Sequence, residues 1–257
     1  DITSFELEIE EWYLVFSDRS LRQSNNPPMQ KDDLVEFINS LLECLPNFDT
    51  YRVFADIQVA EERIKALKDK LTFMKKLICF VTLRGVEVGQ LGPLLTHTGV
   101  LAINAADFSF RYRNRYGYNI QMLEELKHMV VVPVESCVQA LIASNLSKES
   151  YSESDEYIFL YLVDVLLCNF WEIVKSGTCF LISVKDQLQM LYEGLSFLRT
   201  NLKEKPKKFD EKLRHLIGLV VCDAGLVICF LSQKAKRDGL IKEMDIEYVD
   251  FLERIKL

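Results

Sequence analysis

Apolar residues recur at intervals of three and four along almost the whole chain. Ile64, Leu67, Leu71, Met74 and Ile78 advance by 3, 4, 3 and 4 positions, with Lys65, Lys68, Asp69, Lys70, Lys75 and Lys76 between them. On a helix of 3.6 residues per turn, that spacing gathers the apolar side chains into one stripe and turns the charges to water. Leu188, Leu191, Leu195, Leu198 and Leu202 draw the same kind of stripe. Read this way, the pattern predicts helices at about 3–15, 31–45, 59–84, 91–113, 119–144, 155–176, 184–203, 209–236 and 240–255. Pro133 is expected to split or kink the fifth, because it lacks an amide donor and crowds the preceding turn. Ten glycines and six prolines in 257 residues are too few for a fold built on tight strand connections. The expected fold class is all-α, with no sheet.

The helical text is written twice. LVEFINSLLECL from Leu34 matches LVDVLLCNFWEI from Leu162, an offset of 162 − 34 = 128. IKALKDKLTFMKK from Ile64 matches LQMLYEGLSFLRT from Leu188 at 188 − 64 = 124, and GVLAINAADFSF from Gly99 matches GLVVCDAGLVIC from Gly218 at 218 − 99 = 119. The order is kept, and two shortened loops explain the drift. A period of about 120 residues exceeds that of short solenoid repeats, so it implies a duplicated helical bundle of two similar multi-helix units. SNLSKESYSESDE, residues 144–156, is polar and Ser-rich and is expected to be a linker that does not pack. The expected division is 1–143, a first helical unit with an N-terminal helix, then the 144–156 linker, then 157–257, a second unit.

Two segments are apolar nearly all round: FLYLVDVLLCNFWEIV and LIGLVVCDAGLVICFLS. Each is shorter than the roughly 20 residues that a bilayer requires. Each also carries polar residues near its middle, Asp164 and Asn169 in one and Asp223 in the other. An acid at the bilayer centre is expensive. Both are therefore expected to be central helices of soluble bundles, and no transmembrane segment is expected.

Net charge is −7 and the sequence pI about 5.2, which disfavours broad nucleic-acid binding. The seven cysteines are an odd number, without a CxxC pair, and most lie in apolar runs, as buried free thiols in a reducing compartment would. His97, His128 and His215 have no metal-ligand partners at the right spacing, so no metal site is expected. GxxxxGK[ST], GxGxxG, GxSxG and HExxH are all missing, and GVEVGQLG reads as a connection between helices. Cys222 and Cys229 lie on an apolar helix, which suppresses rather than promotes thiolate character. Asp223 and its counterpart Asn104 recur as polar positions in apolar helices. They read as buried anchors bonded to a neighbouring helix rather than as ligand-binding groups. RYRNRYGY sets Arg111, Arg113 and Arg115 among Tyr112, Tyr116 and Tyr118. Such a cluster is either a solvated helix end whose arginines answer the dipole or a protein-contact patch, while the acidity of the chain opposes base stacking.

The C-terminal half carries a resemblance. SVKDQLQMLYEGLSFLRTNLKE, then HLIGLVVCDAGLVICFLSQ, then DIEYVDFLERIKL resemble the N-terminal Solanaceae domain of late blight resistance proteins. Val184–Gln187, Leu191–Arg199 and Val220–Gly225 match its typical runs, with Ser196 where the family more often has Arg. ERIKALKDKLTFMKKLICFV resembles the same family more loosely, and the similarity spans about residues 31–257. The resemblance implies an all-helical extension of a plant intracellular NB-LRR immune receptor, with a coiled coil, a nucleotide-binding switch and leucine-rich repeats further on. The chain opens on Asp1 rather than Met, as a fragment of such a receptor would. The implied work is non-enzymatic sensing and regulation in the cytoplasm, in pathogen resistance and the hypersensitive response. The implied partners are a pathogen effector or host protein and the receptor's own coiled-coil and nucleotide-binding regions. Bound ATP or ADP would belong to those other regions, with no cofactor here. The alternative is a structural spacer or self-association module without a specific hetero-partner.

Overall fold

The computed structural model describes residues 31–45, 55–87, 89–114, 124–126, 129, 134–144, 153–175, 185–204 and 211–237. They form seven helices: α1 Lys31–Cys44, α2 Ala55–Leu83, α3 Gly92–Asn114, α4 Val134–Ala143, α5 Glu153–Lys175, α6 Lys185–Glu204 and α7 Glu211–Arg237. No strand occurs among the described residues, and the chain is all-α. The expected helices at 3–15 and 240–255 lie outside the described residues. Of the one expected at 119–144, the long described helix is α4, which starts directly after Pro133.

Packing groups the chain into two compact units, Asp1–Ile78 with Leu91–Val131 and Cys79–Gln90 with Val132–Leu257. The grouping departs from chain order: α4, which precedes the polar stretch at 144–156, packs on α7 and α5. The two ends of that stretch also pack. Ser144 is buried with its Oγ donating to Leu141 O at 2.6 Å, and Glu156 is buried within α5. Polar side chains enter a core when a partner replaces the lost water.

In the first unit, Leu34, Phe37, Ile38 and Leu41 of α1 are fully buried, and α1 packs on α3. Ile64, Leu67, Leu71, Met74 and Ile78 form the buried stripe of α2 that their spacing implies. Lys70 departs from that pattern. It is 4% exposed, and its Nζ donates to Met129 O at 2.6 Å. A backbone carbonyl takes the place of the water expected around its ammonium group. Lys75 Nζ ties α2 to α1 by donating to Asn39 Oδ1 at 2.8 Å, and Ser109 Oγ of α3 donates to Cys44 O at 3.4 Å.

The end of α2 is set by Gly85, whose φ of 75° is open to glycine and costly for other residues. Gly85 N donates to Thr82 O at 3.0 Å and Val86 N to Val81 O at 3.3 Å. This paired pattern is a Schellman cap, with buried Val86 and Val81 as its apolar contact. The first part of GVEVGQLG is therefore a helix stop.

In the second unit α5 is the hub. Every residue from Tyr161 to Phe170 is buried, and α6 and α7 both pack on it. Phe80, in the last turns of α2, meets Phe159 edge-on at 6.1 Å between ring centres, and Phe170 meets Tyr192 of α6 at 5.7 Å. The expectation of a central helix holds for this segment. In α6, Leu188, Leu195 and Leu202 are buried, as their spacing implies. The segments matched in sequence pack in corresponding pairs, α1 on α3 and α5 on α7. The duplication itself is carried by the sequence matches alone.

Helices α4 and α7 approach closely at Gly225. A Cβ added there would lie 2.5 Å from Val138 Cγ2 and 3.2 Å from its Cγ1. Val is stiff at χ1 and cannot swing clear. Gly225→Ala gains up to about 1 kcal/mol of helix propensity, but overpacking costs about 1–3 kcal/mol. Net destabilisation of about 1 kcal/mol is expected in urea melts. Adding Val138→Ala should make the double variant lose less than the two single losses combined. Strict additivity would show that the two side chains do not meet.

Candidate contact surfaces

The buried acids of the second unit, Asp164 and Glu156, form two ion pairs on α5. Arg199 of α6 donates through Nε to Asp164 Oδ1. Arg214 of α7 reaches Glu156 Oε1 through Nε at 2.8 Å and Nη2 at 2.7 Å. Asp164 and Glu156 are 8% and 5% exposed. Each pair joins one outer helix to the hub, which makes both structural ties. Asn169 is also buried and donates its Nδ2 to Val165 O at 2.8 Å, one turn back on its own helix.

In the first unit, the only member of the RYRNRYGY cluster whose side chain is described is Arg111. It sits near the end of α3 and clamps Glu125, Nη1 to Oε1 at 3.2 Å and Nη2 to Oε2 at 2.6 Å. Nη2 also lies 2.7 Å from Asp107 Oδ2, one turn back. The Glu125 bond, opposed by partial burial and aided by Asp107, holds the guanidinium above its ordinary value. Arg111 is thus committed inside the unit. Tyr112 and Arg113 belong to α3, and their side chains lie outside the described residues, as do Arg115, Tyr116 and Tyr118 altogether.

Among the described residues, the widest open apolar surface belongs to α7. Ile217, Val221, Ala224, Ile228 and Leu231 are buried, while Leu213, Leu216, Leu219, Val220, Leu226, Val227 and Phe230 are 40–65% exposed. The helix is apolar all round because it carries two stripes: one spent on packing, one open. Sequence reasoning took it for a fully central helix. The structure corrects this, with half of Lys212–Gln233 buried. The helix also runs past both ends of the 17-residue apolar segment. Among the described residues, Lys212–Gln233 is the one stretch long and apolar enough, by length and composition, to cross a membrane. On α6, Met190 and Phe197 are exposed two turns apart.

Asp223 lies on the open stripe of α7, and its counterpart Asn104 is also exposed. The buried-anchor reading of these two positions is therefore wrong. Both are polar because they face solvent. The neighbouring thiols behave otherwise. Burial, reinforced by the Asp223 charge, pushes Cys222 up to about 11; burial and Glu135 do the same for Cys229. Neither is a poised nucleophile. Cys79, Cys222 and Cys229 are free thiols. No cluster of three or more metal-ligating side chains occurs among the described residues.

Comparison with known proteins gives a family. The family described as "NB-LRR: Late blight resistance protein R1" matches residues 1–257. The chain belongs to this late blight resistance family. No curated protein and no solved structure matches it. Membership covers the full length and makes the chain a disease-resistance receptor region. The family is one of resistance proteins rather than an enzyme class. Within this domain, Leu191–Arg199 and Val220–Gly225, the runs that carried the resemblance, contain the Asp164 partner Arg199 and the close-packed Gly225.

Removing one partner of a buried ion pair strands the other charge. Asp164→Ala should lower stability by about 3 kcal/mol, whereas Asp164→Leu combined with Arg199→Met should recover most of that loss. An Asp164→Ala melt matching the parent would refute a structural role for the pair. The two raised thiols set a second expectation. A shift from 9.0 to about 11 leaves roughly a hundredfold less thiolate at pH 8 than an unshifted thiol has. Alkylation of Cys222 and Cys229, read by peptide mass spectrometry, should stay slow at pH 8 and rise towards pH 11. Because folding holds these protons, stability should fall as pH climbs from 9 to 11. Rapid labelling at pH 8 in the folded state would contradict the burial.

Proposed function

We propose that this chain is a non-enzymatic sensor and regulatory domain of a plant intracellular NB-LRR receptor, acting in the cytoplasm through protein–protein contact. Its contacts are with a pathogen effector or host protein, and with the coiled-coil and nucleotide-binding regions of the same receptor. ATP or ADP is held by those other regions, and no cofactor is needed here. The observation that carries this reading is the family match over residues 1–257. The disposition of side chains supports it. The ion pairs of Glu125, Asp164 and Glu156 tie separate segments together, while the apolar stripe of α7 is exposed, and patches of that kind mark interaction sites. A sensor of this class works by binding one of its states more tightly than another, so its ligand must discriminate between them.

The 3-4 spacing of the open stripe favours a second reading, in which the domain associates with its own kind and has no specific hetero-partner. One experiment separates the two. The folded domain is tested by pull-down against its own receptor's coiled-coil and nucleotide-binding regions and against effectors, with light scattering at several concentrations alongside. The sensor reading expects capture of at least one of these partners by a domain of constant mass. Failure to bind any of them, with a mass that rises with concentration, would establish the spacer instead.

A further inference from the structure

The open face of α7 carries a single charge, and that charge sits at its centre. The exposed residues from Leu213 to Phe230 fill an arc about 140° wide around the helix, at about 100° per residue. Asp223 lies near the midline of that arc. Leu219, Val220, Leu226 and Val227 surround it, three and four positions away on either side, and these are the nearest neighbours on a helix surface. All four are 41–52% exposed. Every other exposed residue of the stretch is apolar too. A cover for this face therefore has to satisfy an apolar ring and a carboxylate in its middle.

That requirement sorts the possible occupants. A bilayer takes up an acid only at high cost. A second copy of α7 brings the same charge to the same place. In a parallel two-fold pair the two Asp223 carboxylates stand at one level. In an antiparallel pair they also meet, because Asp223 lies 1.5 positions from the midpoint of Leu213–Phe230. The two would then be only about 4.5 Å apart along the axis, at about 1.5 Å per residue. Like charges brought together between apolar walls repel strongly. Sliding the copies far enough to part them uncovers much of the face. A helix from a different polypeptide escapes these penalties if its apolar stripe bears one Lys or Arg level with Asp223. Its apolar side chains cover the ring, and its cation replaces the water lost by the carboxylate.

Building on the sensor reading, we propose that the open face of α7 docks an amphipathic helix of a partner protein whose apolar stripe carries a single Lys or Arg facing Asp223. The apolar ring supplies the attraction. Asp223 fixes the register, as a lone polar position does in paired helices, and turns away further copies of α7.

The probe is a fluorescein-labelled amphipathic peptide of about 20 residues, long enough to span a seam of about 25 Å. It is made in three forms, with Lys, Leu or Glu at the centre of one leucine stripe. Binding to the whole 257-residue chain is read by fluorescence anisotropy. The Lys form should bind most tightly and the Glu form about tenfold or more weakly. Asp223→Lys should invert that order. Since Asp223 is exposed, this variant should keep the parental circular dichroism and melting midpoint. Equal binding of the three peptides, or binding of none, would overturn the docking site. A parental mass that rises with concentration and is held constant by Val220→Glu would overturn it by seating a second copy on the face. Flotation of the parent with phosphatidylcholine vesicles would do so by giving the face to lipid. The peptides contain no receptor or effector sequence, so their failure would leave the pull-down test of the sensor reading untouched.

Discussion

A helix buried on every side must bring a partner for each charge it carries, and α5 is built around that constraint. Its apolar residues from Tyr161 to Phe170 leave no solvated face. Its two buried acids, Asp164 within that run and Glu156 before it, are met by Arg199 and Arg214 from different helices. The apolar area of α5 drives α6 and α7 against it without direction. The paired charges supply direction, since each arginine reaches its acid only at one level of its helix. Helix α4 joins the same unit chiefly through α7, with the close approach at Gly225.

The two stripes of α7 follow from the same arrangement. A helix resting on a hub spends only the side facing inward, and here the opposite side is apolar as well. Nothing in the described fold requires that second face to be greasy. The first unit shows a contrasting economy. Its most conspicuous cationic residue among those described, Arg111, is tied to Glu125 and Asp107 instead of being offered outward. Exposed apolar side chains gather on α7, whereas the buried acids Asp164 and Glu156 hold helices together. Family membership makes the chain part of a group of resistance proteins.

Much of this was legible in the residues. The spacing of Leu34, Phe37, Ile38 and Leu41, or of Leu188, Leu195 and Leu202, marks both a helix and its inward side, because helical geometry depends only on local repetition. Lys70, Asp223 and Asn104 were misread for one shared reason: periodicity tells which residues lie together on a face and is silent about what that face meets. The end of the polar stretch at Glu156 was misjudged likewise, since its partner Arg214 is 58 positions away.

By itself, then, the order of residues determined the helical class, the positions of most helices, the place of α5 in a core and the family to which the chain belongs. All of these rest on short-range repetition or on long contiguous text. Only the tertiary structure decided that α7 is open on one side, that Arg111 turns inward, that α4 joins the second unit and that Gly225 is a point of close packing. Each of those depends on which distant side chain arrives opposite, and a sequence period carries no record of that.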